Sequence, residues 1–160
     1  MLRIGVITVS DRVHAGRRED ESGLAIRSYV ERKGDCVASY AVVPDEVARI
    51  EEALLSAADE RGSDVVFTTG GTGFAPRDVT PEATRRVIER EAPGIAEVIR
   101  LESLKKTRRA MLSRGVAGIR GRTLIVNLPG SARAVVESLD AIYDQLEHAV
   151  AILRERPTDH

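Results

Sequence analysis

Apolar residues recur along the chain in two rhythms, short unbroken runs and longer stretches spaced three or four apart, and their alternation predicts strands and helices in turn. The runs are Arg3 to Val9, Cys36 to Val43, Val65 to Phe67 followed by Thr68 and Thr69, and Thr123 to Val126. Short runs with a β-branched bias are how parallel strands buried on both faces read. Leu24, Ile26, Tyr29 and Val30 suit an amphipathic helix over Leu24 to Lys33 that stops at Gly34, and Val47, Ile50, Leu54 and Ala57 suit another that closes at Gly62. Further helices are predicted from Pro81 to Arg90, broken at Ala92-Pro93-Gly94, and from Ile95 to Lys106 with Ile95, Val98, Ile99 and Leu101 as apolar positions. The last helix carries Val135, Leu139, Ile142, Leu146, Val150 and Leu153, a stripe that reads as core rather than as a cofactor face. Val116 to Ile119 is separated from the fourth run by Arg120-Gly121-Arg122, which leaves open a hairpin or a short strand leading into a buried one. The tail from Pro157 to His160 is expected to fray. With no repeat, low-complexity stretch or linker, residues 1–160 are expected to form one α/β domain.

The polar punctuation between these elements is concentrated where strands end. Asp64 to Thr84 is the stretch the chain is organised around, an apolar strand leaving through Gly70, Gly71, Thr72 and Gly73 toward a helix. Glycines take positive φ and lack a Cβ, so such a turn can bring backbone N–H groups together around an anion such as phosphate. The same residues can equally form a tight sheet-to-helix connection with a salt-bridged Arg77-Asp78. Thr80-Pro81-Glu82 reads as a helix start with Thr80 as N-cap. The loop is not a Walker A, because no Gly-Lys-Ser/Thr follows, nor has it the third glycine of the dinucleotide fingerprint. Ser10 and Asp11 close the first strand and read as ligand-facing or as turn-formers. Asp45, after Pro44, reads either as the N-cap of the next helix or as a carboxylate presented toward the glycine loop. Asn127-Leu128-Pro129-Gly130-Ser131 is a second strand end that meets a helix start, with Ser131 as N-cap. Arg17-Arg18-Glu19-Asp20-Glu21 reads as a solvated loop with Asp20 or Ser22 capping the next helix. Lys105, Lys106, Arg108, Arg109 and Arg114 concentrate positive charge, either as a solvated helix end or with one or two of them meeting an anionic substrate. Right-handed crossovers would collect these strand ends at one edge of a parallel sheet.

Composition narrows the chemistry. A net charge of −1 with 3% aromatic residues argues against a phosphate-tracking basic surface or base-stacking platforms, so nucleic acid is not expected as a partner. No apolar run approaches the ~20 residues needed to cross a membrane, and the start of the chain carries no secretory pattern, so a cytoplasmic location is expected. The single cysteine, Cys36, reads as core. His14, His148 and His160 are scattered and give a transition-metal site little support, whereas Mg2+ held by carboxylates and phosphate oxygens stays open. No Gly-x-Ser-x-Gly elbow, Cys-His pair or His-containing triad appears, so the substrate is expected to bring its own nucleophile. Phosphoryl or nucleotidyl transfer suits such a site, since it needs mainly positioning and neutralisation of charge.

Ser10-Asp11-Arg12, the VPDE of Val43 to Glu46, TTGGTGFAPRDVTPEAT from Thr68 to Thr84, MLSRGVAGIRG from Met111 to Gly121 and LIVNLPGS from Leu124 to Ser131 together resemble the molybdopterin adenylyltransferase family of the MogA/MoaB type, to which the G domain of gephyrin is also similar. The resemblance spans nearly the whole chain. It implies a three-layer αβα sandwich with a mostly parallel sheet, usually trimeric and sometimes hexameric, that transfers AMP from Mg-ATP to the terminal phosphate of molybdopterin. The adenylated product is then the substrate of a molybdate-insertion enzyme. Carried over by position, Gly70, Gly71, Thr72 and Gly73 would hold the nucleotide and its phosphates, Asp45 and Asp78 match the catalytic and Mg2+-binding acids, Ser113 and Arg114 match positions near the pterin, and Gly130 and Ser131 match the nucleotide side. Two positions depart from the pattern. Ala132 stands where the family often has Pro, which is expected to loosen that helix start slightly, and Arg108-Arg109 is more basic than usual, which could alter the substrate entrance or a subunit contact. A non-catalytic molybdopterin-binding or oligomeric scaffold is the alternative reading, and an unrelated nucleotide or sugar-phosphate enzyme on the same generic fold is a third.

Overall fold

The four apolar runs form the parallel part of a six-stranded sheet in a computed structural model of the chain that describes residues 1–158. Strands β1 (Arg3–Val9), β2 (Cys36–Val43), β3 (Val65–Thr69), β4 (Arg90–Glu91), β5 (Ala117–Arg120) and β6 (Thr123–Leu128) lie in the order β2-β1-β3-β6-β5-β4. β2, β1, β3 and β6 run parallel, while β5 pairs antiparallel with β6 and β4 with β5. The alternatives around Arg120-Gly121-Arg122 therefore resolve to a hairpin, with Gly121 at φ 56° in its turn.

Helices cover both faces, giving three layers. α1 (Asp11–His14), α2 (Glu21–Arg32), α3 (Val47–Leu55), α4 (Thr80–Val87), α5 (Pro93–Leu104), α6 (Ala132–Ile142) and α7 (Leu146–Leu153) follow in chain order. Alternation within the strands sorts the core: Ile4, Val6, Val65, Phe67, Leu124 and Val126 pack with α2, α5, α6 and α7, while Ile7, Val9, Val66 and Ile125 pack with α3 and α4. This is the double-sided burial that the unbroken runs predict.

Several boundaries differ from expectation. The helix predicted from Pro81 to Arg90 ends at Val87, and Arg90–Glu91 becomes an edge strand; two exposed charged residues carry no periodic signal. α2 starts at Glu21 behind the cap Asp20, and Leu24, expected on the apolar face, is exposed. The last helix is two, α6 and α7, joined by a 3-10 turn at Tyr143–Gln145, yet the stripe from Val135 to Val150 is buried throughout, as expected of core. Cys36 is only half-buried. Of the tail expected to fray, residues 159 and 160, His160 among them, lie outside the described residues.

Candidate active site

The chain leaves β1 toward one face of the sheet through α2 and leaves the neighbouring β3 toward the other through α4. A crevice opens where adjacent strands part in this way, at their carboxyl ends. It forms a cleft of about 270 Å³ lined by Ser10 from the end of β1, Asp45 from that of β2, Gly70, Gly71 and Asp78 from the loop after β3, and Gly130 and Ser131 from the loop after β6. The four strand ends singled out in the sequence thus meet in one place.

The glycine loop is built by close approach. Gly70 and Gly71 have φ of 94° and 70°. A Cβ on Gly70 would lie 2.3 Å from the Val9 carbonyl oxygen, and one on Gly71 would lie 2.3 Å from Thr80 Oγ1 and 3.2 Å from Asp45 Oδ1. Side chains are excluded on both counts, conformation and space. Thr80 is not the N-cap expected of it: Val79 holds that position, and the Thr80 hydroxyl donates instead to the Gly70 carbonyl at 2.9 Å. Its backbone N–H donates to the Gly71 carbonyl at 3.1 Å. Thr69 Oγ1 donates to the Pro129 carbonyl at 2.6 Å, which ties the loop after β3 to the loop after β6. Ser131 does cap α6, its hydroxyl accepting from the Ala134 N–H at 3.1 Å, so Ala132 leaves that helix start in place.

The acids are arranged unlike the capping expectation. Glu46, not Asp45, holds the cap position of α3, and it makes no side-chain cap bond. Asp45 and Asp11 exchange bonds: Asp45 Oδ2 accepts from the Asp11 N–H at 2.8 Å and Asp11 Oδ1 accepts from the Asp45 N–H at 3.0 Å. Arg77 forks onto Asp11 with Nε and Nη2, each at 2.8 Å, so the salt bridge expected between Arg77 and Asp78 runs to Asp11. The guanidinium holds the Asp11 carboxyl down at about 2. Asp45 moves the other way, pushed up by desolvation and then by the charges of Asp11 and Asp78. Asp78 Oδ2 accepts from the Ala75 N–H at 2.9 Å. Among the described residues, Asp45 Oδ1 and Asp78 Oδ1 accept no hydrogen bond within the chain. Two carboxylates with an open oxygen each fit Mg2+, which binds one or two carboxylates together with substrate oxygens. They do not make an all-protein cage: no cluster of three His, Cys, Asp or Glu side chains suited to a metal occurs among the described residues.

The sequence profile of the family described as "Probable molybdopterin binding domain" matches residues 5–148. The chain belongs to this family. It is 50% identical to a solved structure described as the molybdopterin biosynthesis enzyme MoaB of Thermus thermophilus, with a TM-score of 0.92, covering 99% of this chain and 100% of that one. It is 46% identical to the molybdenum cofactor synthesis protein cinnamon of Drosophila melanogaster over 95% of its own length, which is 26% of the Drosophila protein. The molybdopterin adenylyltransferase of Helicobacter pylori is 42% identical over 95% of this chain and 88% of its own length.

In this molybdopterin-binding domain the glycine loop is a wall between two clefts. Gly70 and Gly71 face the cleft just described, whereas Thr72 and Gly73 line a second one of about 380 Å³ with Phe74, Ile99, Ser113 and Pro129. Ser113 follows the 3-10 turn Arg108–Leu112, and its hydroxyl accepts from the Gly115 N–H at 3.3 Å. Arg109 also lines this cleft, so the basic departure at Arg108-Arg109 reaches its edge. Arg114 lies behind the loop. Its guanidinium donates to the carbonyls of Gly73 at 2.8 Å and Asp78 at 2.7 Å and to both Glu82 oxygens, at 3.0 and 2.8 Å. Its own N–H donates to the Thr72 carbonyl at 2.8 Å. Each of its guanidinium nitrogens is engaged, so Arg114 fixes the wall between the clefts.

Two residues of the site do more than their sequence context suggests. Asp20 is the N-cap of α2, as one reading has it, but it also lines the first cleft and accepts from Thr8 Oγ1 at 2.9 Å and from the Tyr40 hydroxyl. Gly23, three residues on, leaves room for it; a Cβ there would lie 2.2 Å from Asp20 Oδ2. That spacing of acid and glycine is the available signal. Asn127 is buried, donates to Thr68 and Thr84 Oγ1 at 2.9 and 3.0 Å, and accepts from the Val116 N–H at 3.1 Å. It locks β3, α4 and β6 together beneath the loop.

Proposed function

We propose that this chain acts, as one domain, in molybdenum cofactor biosynthesis as a molybdopterin adenylyltransferase, joining molybdopterin and Mg-ATP to give adenylated molybdopterin and pyrophosphate. The observation that carries the reading is the pair of clefts on either side of one pinned glycine loop, which suits two substrates meeting across a shared backbone. The nucleotide belongs to the cleft of Gly70, Gly71, Asp45 and Asp78, which Ser10, Gly130 and Ser131 also line. The pterin belongs to the second cleft with Ser113, and Thr72 and Gly73, expected from the resemblance to hold the nucleotide, line that cleft instead.

In the reaction a terminal phosphate oxygen of molybdopterin attacks the α-phosphorus of ATP, a new P–O bond forms, and the bond to the pyrophosphate oxygen breaks. Asp45 and Asp78 would hold Mg2+ through their open oxygens. When bound, Mg2+ supplies neutralisation of the phosphate charges that would otherwise repel the incoming phosphate. Backbone N–H groups of the glycine loop hold the transferring phosphate, and because Arg114 and Thr80 already fix that backbone, they do so without reorganisation. Asp11, neutralised by Arg77, orients Asp45 through the paired backbone bonds rather than reaching substrate.

The reading extends to a cytoplasmic location, supported by a lone cysteine without an intrachain disulfide partner, and to delivery of the product to a molybdate-insertion enzyme. It also includes self-association as a trimer or hexamer, supported by an apolar groove of about 570 Å³ between α5 and α7 that Ile95, Val98 and Ile152 line. The deciding experiment is pyrophosphate release from Mg-ATP with and without molybdopterin, run beside Asp78→Asn. Release that requires molybdopterin and falls ~100-fold or more in the variant is expected, the size of one lost transition-state interaction. Molybdopterin binding with no release by the intact chain would overturn the enzyme and leave the scaffold.

A further inference from the structure

Phe74 stands apart among the aromatic residues. The chain has five, two Phe and three Tyr. Phe67, Tyr29 and Tyr143 are buried in the core, and Tyr40 is engaged by Asp20 and by Arg27 over its ring. Phe74 is 69% exposed, at the tip of the glycine loop. An exposed phenyl ring on a slack loop would mean little, but this loop is held on both sides of it. The Gly73 carbonyl receives Arg114 Nε at 2.8 Å, and the Ala75 N–H donates to Asp78 at 2.9 Å. The backbone that carries the ring is therefore fixed beside the second cleft, which Phe74 lines and whose walls are largely apolar, with Ile99, Leu112 and Pro129 among them and the hydroxyls of Ser113 and Thr107 between.

We infer that Phe74 is the stacking platform for the pterin ring system in this cleft, an inference that rests on the placement of molybdopterin argued above. A flat heteroaromatic with polar edges matches one aromatic face, an apolar floor and a few hydroxyls, and stacking between a heteroaromatic ring and a phenyl side chain is sequence-tolerant, strong and needs no hydrogen-bond code. Carrying the ring on a pinned backbone means little main-chain freedom is lost when the ligand arrives.

The test uses Phe74→Ala and Phe74→Trp in the full chain, with anaerobic molybdopterin and with ATP as separate titrants. The chain contains no Trp, so Phe74→Trp places a lone fluorophore at the position. Its emission is expected to be quenched saturably by molybdopterin and left unchanged by ATP. Phe74→Ala is expected to weaken molybdopterin binding by ~10-fold to ~100-fold, in the range of one lost stacking contact, and to raise KM for molybdopterin with little change in kcat. ATP affinity and the unfolding temperature should stay at wild-type values, because the ring is exposed and supports no core. Wild-type molybdopterin affinity in Phe74→Ala, or a loss of affinity that comes only with a change in oligomeric mass, overturns the stacking role while the adenylyltransferase reading stands. Failure of the wild-type chain to bind molybdopterin at all overturns both.

Discussion

Asp45 is the residue on which physical cost and use meet most directly. Desolvation pushes its carboxyl up, so ionising it costs the folded chain stability. That cost is absent below the unfolded value near ~3.9, grows as pH rises toward the folded value, and is present in full above it. Asp45→Asn keeps an oxygen to accept from the Asp11 N–H and removes the charge. Its unfolding temperature at neutral pH is expected to match or exceed that of the wild type, with the difference closing as the pH falls below ~4, while pyrophosphate release drops by ~100-fold or more. Thermal unfolding across pH, set beside the assay, checks both; a variant that is less stable at neutral pH and equally active would show that the carboxylate serves the fold. Asp11, joined to Asp45 by two reciprocal hydrogen bonds, behaves oppositely because Arg77 keeps it ionised to about 2. Neighbouring carboxylates at one strand edge thus acquire different tasks from a single arginine.

At the scale of elements, the β3–α4 connection works because other elements hold it. Its glycines supply shape, but its rigidity comes from Arg114, just beyond the 3-10 turn, and from Thr80 in the first turn of α4. Arg114 acts as a planar fork on two carbonyls and one carboxylate, which a lysine ammonium cannot reproduce. Arg114→Ala is expected to lower pyrophosphate release by ~100-fold, the scale of a small displacement of reacting groups, with Arg114→Lys close to it. Cleavage by a protease within the Gly73–Asp78 loop should accelerate in both variants. Wild-type rates in Arg114→Lys would show that charge alone, not the fork, holds the wall. Asn127 supports the same connection from below, joining β3, α4 and β6 with three bonds from one buried side chain.

At the scale of the whole molecule, the site sits where the sheet's connections diverge, and the apolar groove between α5 and α7 lies elsewhere on the fold. Exposed apolar groups rimming such a groove are a usual mark of association. Sedimentation of the wild type is expected to give a multiple of the 17.4 kDa chain, and Ile152→Asp, which puts a charge on an exposed position of α7, is expected to shift it toward a single chain. A monomeric wild type would remove the self-association part of the reading without touching the clefts. What the sequence determined by itself was the set of local rhythms and their punctuation. Unbroken β-branched runs can only be satisfied by burial on both faces, and Gly70 and Gly71 sit where only glycine can, so the sheet core, most helices, the hairpin option and the glycine loop were legible. Partners distant along the chain were not, because a side chain's local pattern does not record what crosses to meet it. Asp45 reads locally as a helix cap and is claimed by Asp11, 34 residues away; Arg77 reads as the partner of Asp78 and reaches across 66 residues to Asp11. Asp20 joined the site only through the tertiary structure, and it was the tertiary structure that gave Arg114 and Asn127, already within its motifs, their tasks, since their bonds exist only once separate strand ends are packed side by side.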